Sequence, residues 1–213
     1  MEPIYADDAL LVFVKPSGLH SVPGRGDDKQ DCLSARAQAR YPDALIVHRL
    51  DRDTSGLMLM ARGKAMQSAM SRAFASRLVH KRYQALVDGV LIAPADSEDG
   101  WSVIDLPILI DWPNRPRRII DHQHGKPSIT RWRVLAGPAL EQSTRVELEP
   151  YTGRSHQLRV HLKAIGHPIL GDTLYASLDA QNRSGRLLLH ASELAFTHPV
   201  SGKALFLTSP APF

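Results

Sequence analysis

The amino-acid sequence predicts an α+β fold with a mixed, mostly antiparallel central sheet flanked by helices and loops. Two observations predict it. Short apolar runs with strand character outnumber the amphipathic segments, and they do not alternate regularly with helices as the βαβ units of a parallel sheet do. The 213 residues, 43% of them hydrophobic, suffice for a sizeable core. This length allows one large domain or two small ones. The pattern of elements argues against a Rossmann-type fold.

The first predicted elements lead from a buried strand to a helix. Residues 10–14 are apolar throughout and are stopped by a Lys-Pro-Ser-Gly turn, which predicts a strand followed by a loop. A short helix is expected over residues 32–40, with Asp31 as its cap. Apolar runs at 44–47 and 57–60 predict two more strands. Residues 64–77 form an amphipathic helix whose methionines we assign to the core rather than to a cofactor site.

The rest of the chain is predicted to form one helix and several strands. A helix is expected over residues 155–165, with Gly166 as its C-terminal stop. The predicted strands cover residues 83–89, 103–110, 129–135, 144–148, 187–190, 193–197 and 204–207.

Charge and cysteine content narrow the possible partners and the compartment. The net charge of +4 leans toward a polyanion such as nucleic acid, although an ordinary, slightly basic protein is the alternative. The single cysteine, Cys32, excludes an internal disulfide and suits a reducing compartment. No apolar run approaches the length of a signal-peptide core or a membrane span. We expect a cytoplasmic protein.

The most informative segment is the charged stretch from His48 to Gly56, which lies between two apolar strands. Such a position is typical of a site loop on a rigid scaffold. Asp51 lies between Arg49 and Arg52, and neighbouring positive charge favours the ionised carboxylate, which can act as a nucleophile. The alternative is a surface loop of ion pairs that ends in a plain turn.

A second group of polar residues opens the helix predicted near residue 155. His156, Arg159 and Lys163 have the spacing of residues on one helix face. Arg154 precedes them, and backbone N–H groups at a helix start attract anions. This arrangement suits a phosphate or a carboxylate. The alternative is a solvated polar face on an amphipathic helix.

Motifs for metals, nucleotides and hydrolytic triads are missing from the sequence. It contains ten histidines but no HExxH motif, and the spacing of His122 and His124 is weak for metal ligands. Neither GxGxxG nor GxxxxGK[ST] occurs, and GxSxG is absent as well. We expect no metal and no cofactor.

Several separate motifs resemble the RluA family of pseudouridine synthases. The segment HRLDRDTSG resembles its catalytic motif, Val14 to Leu19 its N-terminal KPSG segment, and GRSHQLR at 153–159 a later motif. The resemblance covers nearly the whole chain. It implies the pseudouridine synthase fold and the isomerisation of uridine in structured RNA without a cofactor. It also implies that residues 1–213 form a single catalytic domain without a separate N-terminal RNA-binding domain, and we expect a monomer.

The resemblance also implies a role for individual residues. Asp51 falls on the family's catalytic aspartate, Tyr83 on its active-site tyrosine, and Arg159 on the arginine that pairs with the aspartate. Arg49 matches the arginine implicated in displacing the target base. Because a uracil inside folded RNA is inaccessible, the nucleotide must be flipped out.

The segment from Asp111 to Arg118 is most similar to the members of the family that act on both large-subunit rRNA and tRNA anticodon stem-loops. An aromatic ring and arginines such as Trp112 and Arg115 can stack on splayed bases and hold phosphates. A rigid surface turn with solvated arginines is the alternative. The loop from Leu91 to Gly100 is longer than in those relatives. The other expected RNA-contacting residues are Arg49, Arg52, Arg154 and His156.

Two other functional classes are compatible with parts of the pattern. A catalytically inactive RNA-binding module of the same fold would bind the same RNA and leave no pseudouridine. A metal-dependent nuclease would account for the histidines and the basic charge, and would be sensitive to EDTA. The complete set of Asp51, Tyr83 and Arg159 argues for the synthase.

Overall fold

The computed structural model describes residues 1–24, 26, 30–92, 99–137 and 140–213. Helices in these ranges are α1 (Leu33–Gln38), α2 (Gly63–Ala75), α3 (Gln157–Ala164) and α4 (Leu178–Asn182). The strands are β1 (Tyr5–Ala6), β2 (Leu10–Lys15), β3 (Ala44–Ile46), β4 (Ser55–Arg62), β5 (His80–Asp88), β6 (Ser102–Asp105), β7 (Ile108–Ile110), β8 (Arg118–Ile120), β9 (Ile129–Val134), β10 (Ser143–Pro150), β11 (Leu189–Thr197) and β12 (Ala204–Thr208).

The chain divides into two compact units. The first comprises Met1–Lys81 and His190–Pro212, and the second comprises Arg82–Leu189 with Phe213. In the first unit, β2 lies between β1 and β4, and both pairings are antiparallel. Strand β11 pairs in parallel with the start of β4 and antiparallel with β12, while β3 pairs with the end of β4.

The core of the first unit forms because β2 and β4 are apolar along almost their whole length. Their buried side chains pack with Met70 and the half-buried Met66 and Phe74 of α2, so the methionine stripe belongs to the core, as predicted. Gly56 is required where β4 meets β11. Its φ is +111°, and a Cβ at this position would collide with the backbone of Ala191.

In the second unit, β10 lies between β5 and β9, and β9 also pairs with β6, all antiparallel. One face of this sheet carries a core that includes Trp132, Val146 and Leu148, and α3 adds Leu158 and Leu162 to it. Strands β7 and β8 pair with each other in a separate two-stranded sheet. We call this element, including its turn at residues 111–117, the β7–β8 hairpin.

The fold class is confirmed as α+β with a mixed, mostly antiparallel sheet, but four local predictions are wrong. The cap of α1 is Cys32, whose Sγ accepts the Ala35 N–H at 3.4 Å, whereas Asp31 pairs with Arg36. The strand predicted over 103–110 is divided into β6 and β7 by the Leu106-Pro107 step. Helix α3 begins only at Gln157, because His156 has a left-handed backbone. The two strands predicted over 187–197 form one strand, β11.

The loop from Leu91 to Gly100 was predicted to be longer than in similar family members, and its residues 93–98 lie outside the described residues. Across the described ranges, no helix combines the length and apolar character needed to cross a membrane. The same ranges contain no group of three or more potential metal-ligating side chains. The single domain over residues 1–213 stays a prediction.

Candidate active site

A buried lysine donates a hydrogen bond to the backbone of the loop that carries Asp51. Lys15, at the end of β2, is completely buried, and its Nζ donates to the carbonyl oxygens of Pro16, Leu19 and Arg52 at 2.8–2.9 Å. A buried ammonium is stable only when its donors are satisfied, and three carbonyl dipoles satisfy them here. Lys15 therefore joins two distant segments of the first unit.

The residues after Lys15 add hydrogen bonds on both sides of Asp51. Ser17 Oγ donates to the Asp53 carbonyl at 2.7 Å, and the Gly18 N–H donates to the Arg52 carbonyl at 3.0 Å. On the other side, Ser21 Oγ donates to the Leu50 carbonyl at 2.7 Å. Asp51 itself remains partly exposed. The carboxylate thus lies on a backbone that is fixed at the residues before and after it.

The neighbouring charged residues of the loop have separate environments. Arg49 is exposed, and the Arg52 guanidinium donates from Nε and Nη2 to the carboxylate of Asp53 at 2.9 and 3.2 Å. His48 has a structural role, because its Nε2 accepts the Leu59 N–H at 2.9 Å and its ring stacks on Phe74. Burial, with a smaller effect from Lys81, lowers the pKa of His48 to about 3.

In the second unit, three of the predicted site residues lie at the start of α3, namely Arg154, His156 and Arg159. His156 is the N-cap and has a φ of 58°, while Arg154 just before it is exposed. The Gln157 side chain accepts from the Arg154 N–H at 3.0 Å and from Thr152 Oγ1 at 2.7 Å. This bonding orients the turn into the helix and leaves the Arg154 side chain on the surface.

Arg159 lies inside the protein rather than on a solvated helix face, so that alternative is wrong. Only 3% of its side chain is exposed. Its Nε and Nη2 donate to the two carboxylate oxygens of Asp172, each at 2.7 Å, and the Asp172 side chain is completely buried. A bidentate pair of this kind fixes the plane of the guanidinium.

Asp172 is the buried partner of Arg159, and sequence reasoning did not identify it. Its Oδ1 also accepts the N–H groups of Leu174 and Tyr175 at 2.9 and 3.1 Å. Gly171 allows this turn, because its φ is +73° and a Cβ there would collide with the backbone of Arg186. The available signal was a small and polar interruption after an apolar run, but no local spacing connects Asp172 with Arg159.

Tyr175 lies beside three basic side chains, those of His156, Arg159 and Lys163. Its hydroxyl lies 2.7 Å from His156 Nδ1 and accepts the Arg118 N–H at 2.8 Å. The centroid of its ring lies 5.1 Å from Arg159 Cζ and 5.9 Å from Lys163 Nζ, so these two residues share a helix face, as predicted. His156, which was predicted on the same face, lies before the helix. Burial, as the largest cause, raises the pKa of Tyr175 to about 12, which keeps the hydroxyl protonated.

Tyr83 lies on β5 in the second unit. It is half-buried, and its ring packs against the core to which α3 contributes Leu158 and Leu162. In the register of the sheet it is opposite Leu148 of β10. The strand therefore places Tyr83 on the sheet face that α3 covers.

The β7–β8 hairpin presents the predicted aromatic and basic residues at its turn. Trp112 is 60% exposed, and Arg115 Cζ lies 4.5 Å from the centroid of its ring. The Asp111 carboxylate accepts from the backbone and side-chain nitrogens of Asn114, which orders the turn. The prolines and this Asp–Asn pair hold the segment without regular structure, as expected.

Comparisons with known proteins give a matching family and relatives that extend over nearly the whole chain. Residues 9–164 match the family described as RNA pseudouridylate synthase. The chain is 48% identical over 215 residues to the dual-specificity RNA pseudouridine synthase RluA of Vibrio vulnificus, covering 100% of this chain and 84% of the relative. It is 46% identical over 210 residues to RluA of Escherichia coli K12, covering 99% of this chain and 93% of the relative.

Solved structures show the same fold. Human RNA pseudouridylate synthase domain containing 1 superposes with a TM-score of 0.77 at 30% identity, over 100% of this chain and 84% of the human chain. Human RNA pseudouridylate synthase domain containing 4 gives a TM-score of 0.75 at 26% identity, over 99% and 88% of the two chains. The family match, the full-length identity and the fold together establish that this chain belongs to the RNA pseudouridylate synthase family.

Proposed function

We propose that this protein isomerises uridine to pseudouridine at specific positions of structured RNA. Membership of the family supports this reaction. The observation in the structure that carries the proposal is the Asp51 loop, in which a partly exposed carboxylate lies on a backbone fixed by Lys15, Ser17 and Ser21. A fixed carboxylate is what a nucleophile or base needs in order to act at one atom of a bound substrate.

The reaction needs only groups that this chain can supply. The N1–C1′ bond of uridine breaks, a C5–C1′ bond forms, the C5 proton leaves, and N1 gains a proton. No oxidant, reductant or energy source enters the balance. In our proposal Asp51 starts the reaction, either by attacking the ribose or the base or by removing a proton from the ribose.

Arg159 and Tyr83 are the proposed partners of Asp51 in the reaction. A guanidinium favours the ionised form of a carboxylate, and Asp172 holds the Arg159 guanidinium in one orientation. Tyr83 would pack on the uracil and help to remove the C5 proton. A glycosidase would instead use two cooperating carboxylates.

RNA binding has to extract the target nucleotide from its stack at a cost of a few kcal/mol. We assign the filling of the vacated space to Arg49, which is exposed beside Asp51 in the chain. The remaining proposed RNA contacts are Arg52, Trp112, Arg115, Arg154 and His156. Their guanidinium and aromatic groups suit phosphates and unstacked bases.

We further propose that the protein modifies two kinds of RNA, an rRNA hairpin and a tRNA anticodon stem-loop. The dual specificity named for the Vibrio and Escherichia relatives supports this, as does the exposed Trp112–Arg115 pair, which suits single-stranded loops. We also propose that the protein acts in the cytoplasm and as a monomer.

The test uses two isolated RNA fragments, an rRNA hairpin and a tRNA anticodon stem-loop, each labelled with tritium at C5 of uridine. The proposal expects release of tritium into water from both fragments, without added metal and in the presence of EDTA. Release from only one fragment would reduce the protein to a single-substrate synthase. Binding of both fragments without release would indicate an inactive RNA-binding module, and release only without EDTA would indicate metal-dependent chemistry.

A further inference from the structure

The β7–β8 hairpin is attached to the helix that carries Arg159 by polar contacts at both of its strands. Before β7, the Leu106 carbonyl lies 2.9 Å from His161 Nε2. At the start of β8, the Arg118 N–H donates to the Tyr175 hydroxyl, which also contacts His156 Nδ1 at the cap of α3. The hydroxyl thus connects the backbone of the hairpin with the first turn of the helix.

Apolar packing supports the same connection. Ile108 of β7, Val160 of α3 and Tyr175 form one buried cluster, with Ile120 of β8 and Leu174 packed against it. Val160 follows Arg159 directly in the helix. A shift of the hairpin would therefore act on the turn of helix that carries the arginine.

Asp172 connects the tyrosine to the arginine from the other side. Its Oδ1 accepts from Arg159 Nη2 at 2.7 Å and from the Tyr175 N–H at 3.1 Å. The Tyr175 ring in turn lies beside the guanidinium of Arg159. The orientation of Arg159 and the position of Tyr175 are consequently set by one buried carboxylate.

We infer that the Tyr175 hydroxyl is a positioning group that couples RNA contact at the β7–β8 hairpin to the orientation of Arg159. The inference rests on the function proposed above. RNA held by Trp112 and Arg115 stabilises one position of the hairpin, and the hydroxyl transmits that position to α3. Without the hydroxyl, the hairpin still binds RNA, but binding no longer fixes the arginine.

Tyr175→Phe tests this inference because it keeps the ring and removes the hydroxyl. Under single-turnover conditions with saturating RNA, we expect the rate constant for tritium release to fall about tenfold, with Kd for RNA changed less than about twofold. The matched control is Tyr5→Phe, which removes a tyrosine hydroxyl bonded to Asp7 in the first unit and should keep the wild-type rate. A merely structural role would lower the Tm of the Tyr175 variant without changing its rate constant, and that result would overturn the inference.

A double-variant cycle tests the coupling itself. We expect Trp112→Ala to lower the rate constant at saturating RNA in the wild-type background and to have little further effect in the Tyr175→Phe background. Effects that multiply independently would overturn the coupling. An inactive wild-type protein on both RNA fragments would instead contradict the proposed function, so the two failures are distinguishable.

Discussion

Arg159 and Asp172 form a buried ion pair whose parts are costly to separate. Removing one member leaves an uncompensated charge in the interior, which typically costs about 3–5 kcal/mol. We predict that Arg159→Met lowers the free energy of unfolding by roughly this amount and abolishes turnover. Urea denaturation and tritium release measure the two effects.

The double variant Arg159→Met with Asp172→Asn separates stability from chemistry. The asparagine keeps an oxygen for the Leu174 and Tyr175 N–H groups and removes the unpaired charge. We therefore expect part of the lost stability to return while turnover stays absent. A double variant with wild-type turnover would contradict the role proposed for Arg159.

Tyr83 gives a second prediction at the scale of a residue. Tyr83→Phe keeps the ring that packs against the core of the second unit and loses only the hydroxyl. We expect turnover to be severely impaired and RNA binding to be retained, as measured by tritium release and filter binding. Unchanged turnover would mean that Tyr83 is a packing residue.

These residues also show where sequence reasoning reached its limit. Arg159 was found because it belongs to one continuous sequence motif, GRSHQLR at 153–159. Its partner Asp172 was not found, because the two residues meet only through the turn at Gly171 and a lone acidic residue has no periodic signal. Partners that are connected only through the fold can be identified only from the structure.

Among the elements, periodicity predicted the long strands and α2, whereas the short elements β1, β8 and α4 were not predicted. Two residues of β1, three of β8 and five of α4 are too few to show a period. Helix α2 ends at Ala75, two residues before the predicted end, and Arg77 then adopts a left-handed backbone with a φ of 59°. The apolar pattern could not indicate that turn.

The hydrogen bonds from Lys15 to the Asp51 loop and its neighbouring segment lead to a prediction for this loop. Lys15→Met leaves carbonyl oxygens of Pro16, Leu19 and Arg52 without their buried donor. We expect the free energy of unfolding to fall on the order of 3 kcal/mol and amide exchange over residues 48–54 to accelerate, with lower turnover. The exposed Lys64 provides the matched control, and Lys64→Met should change none of these measurements. Wild-type amide exchange over residues 48–54 in Lys15→Met would contradict a role of Lys15 in fixing this loop.

At the scale of the whole molecule, His48 makes stability depend on pH. Its folded-state pKa is about 3 and its ordinary pKa about 6.5, so below pH 6.5 the unfolded chain binds a proton that the folded chain does not. The contribution of neutral His48 to the free energy of unfolding is fully present above pH 6.5. It falls with decreasing pH by up to about 1.4 kcal/mol per pH unit. We expect the stability advantage of the wild type over His48→Gln to shrink between pH 7 and pH 5 in urea denaturation. A constant advantage would contradict the buried, neutral state of His48.

Asp51 is the residue that we propose starts the isomerisation of uridine. Asp51→Asn removes the charge and the nucleophile at nearly constant volume, and Asp31→Asn makes the same change at an exposed carboxylate that pairs with Arg36. The decisive measurement is single-turnover release of tritium from C5-labelled uridine in the stem-loop RNA, together with RNA affinity and Tm. We expect no release by Asp51→Asn with affinity and Tm preserved, and wild-type release by Asp31→Asn. Release by Asp51→Asn at the wild-type rate would contradict this role of Asp51.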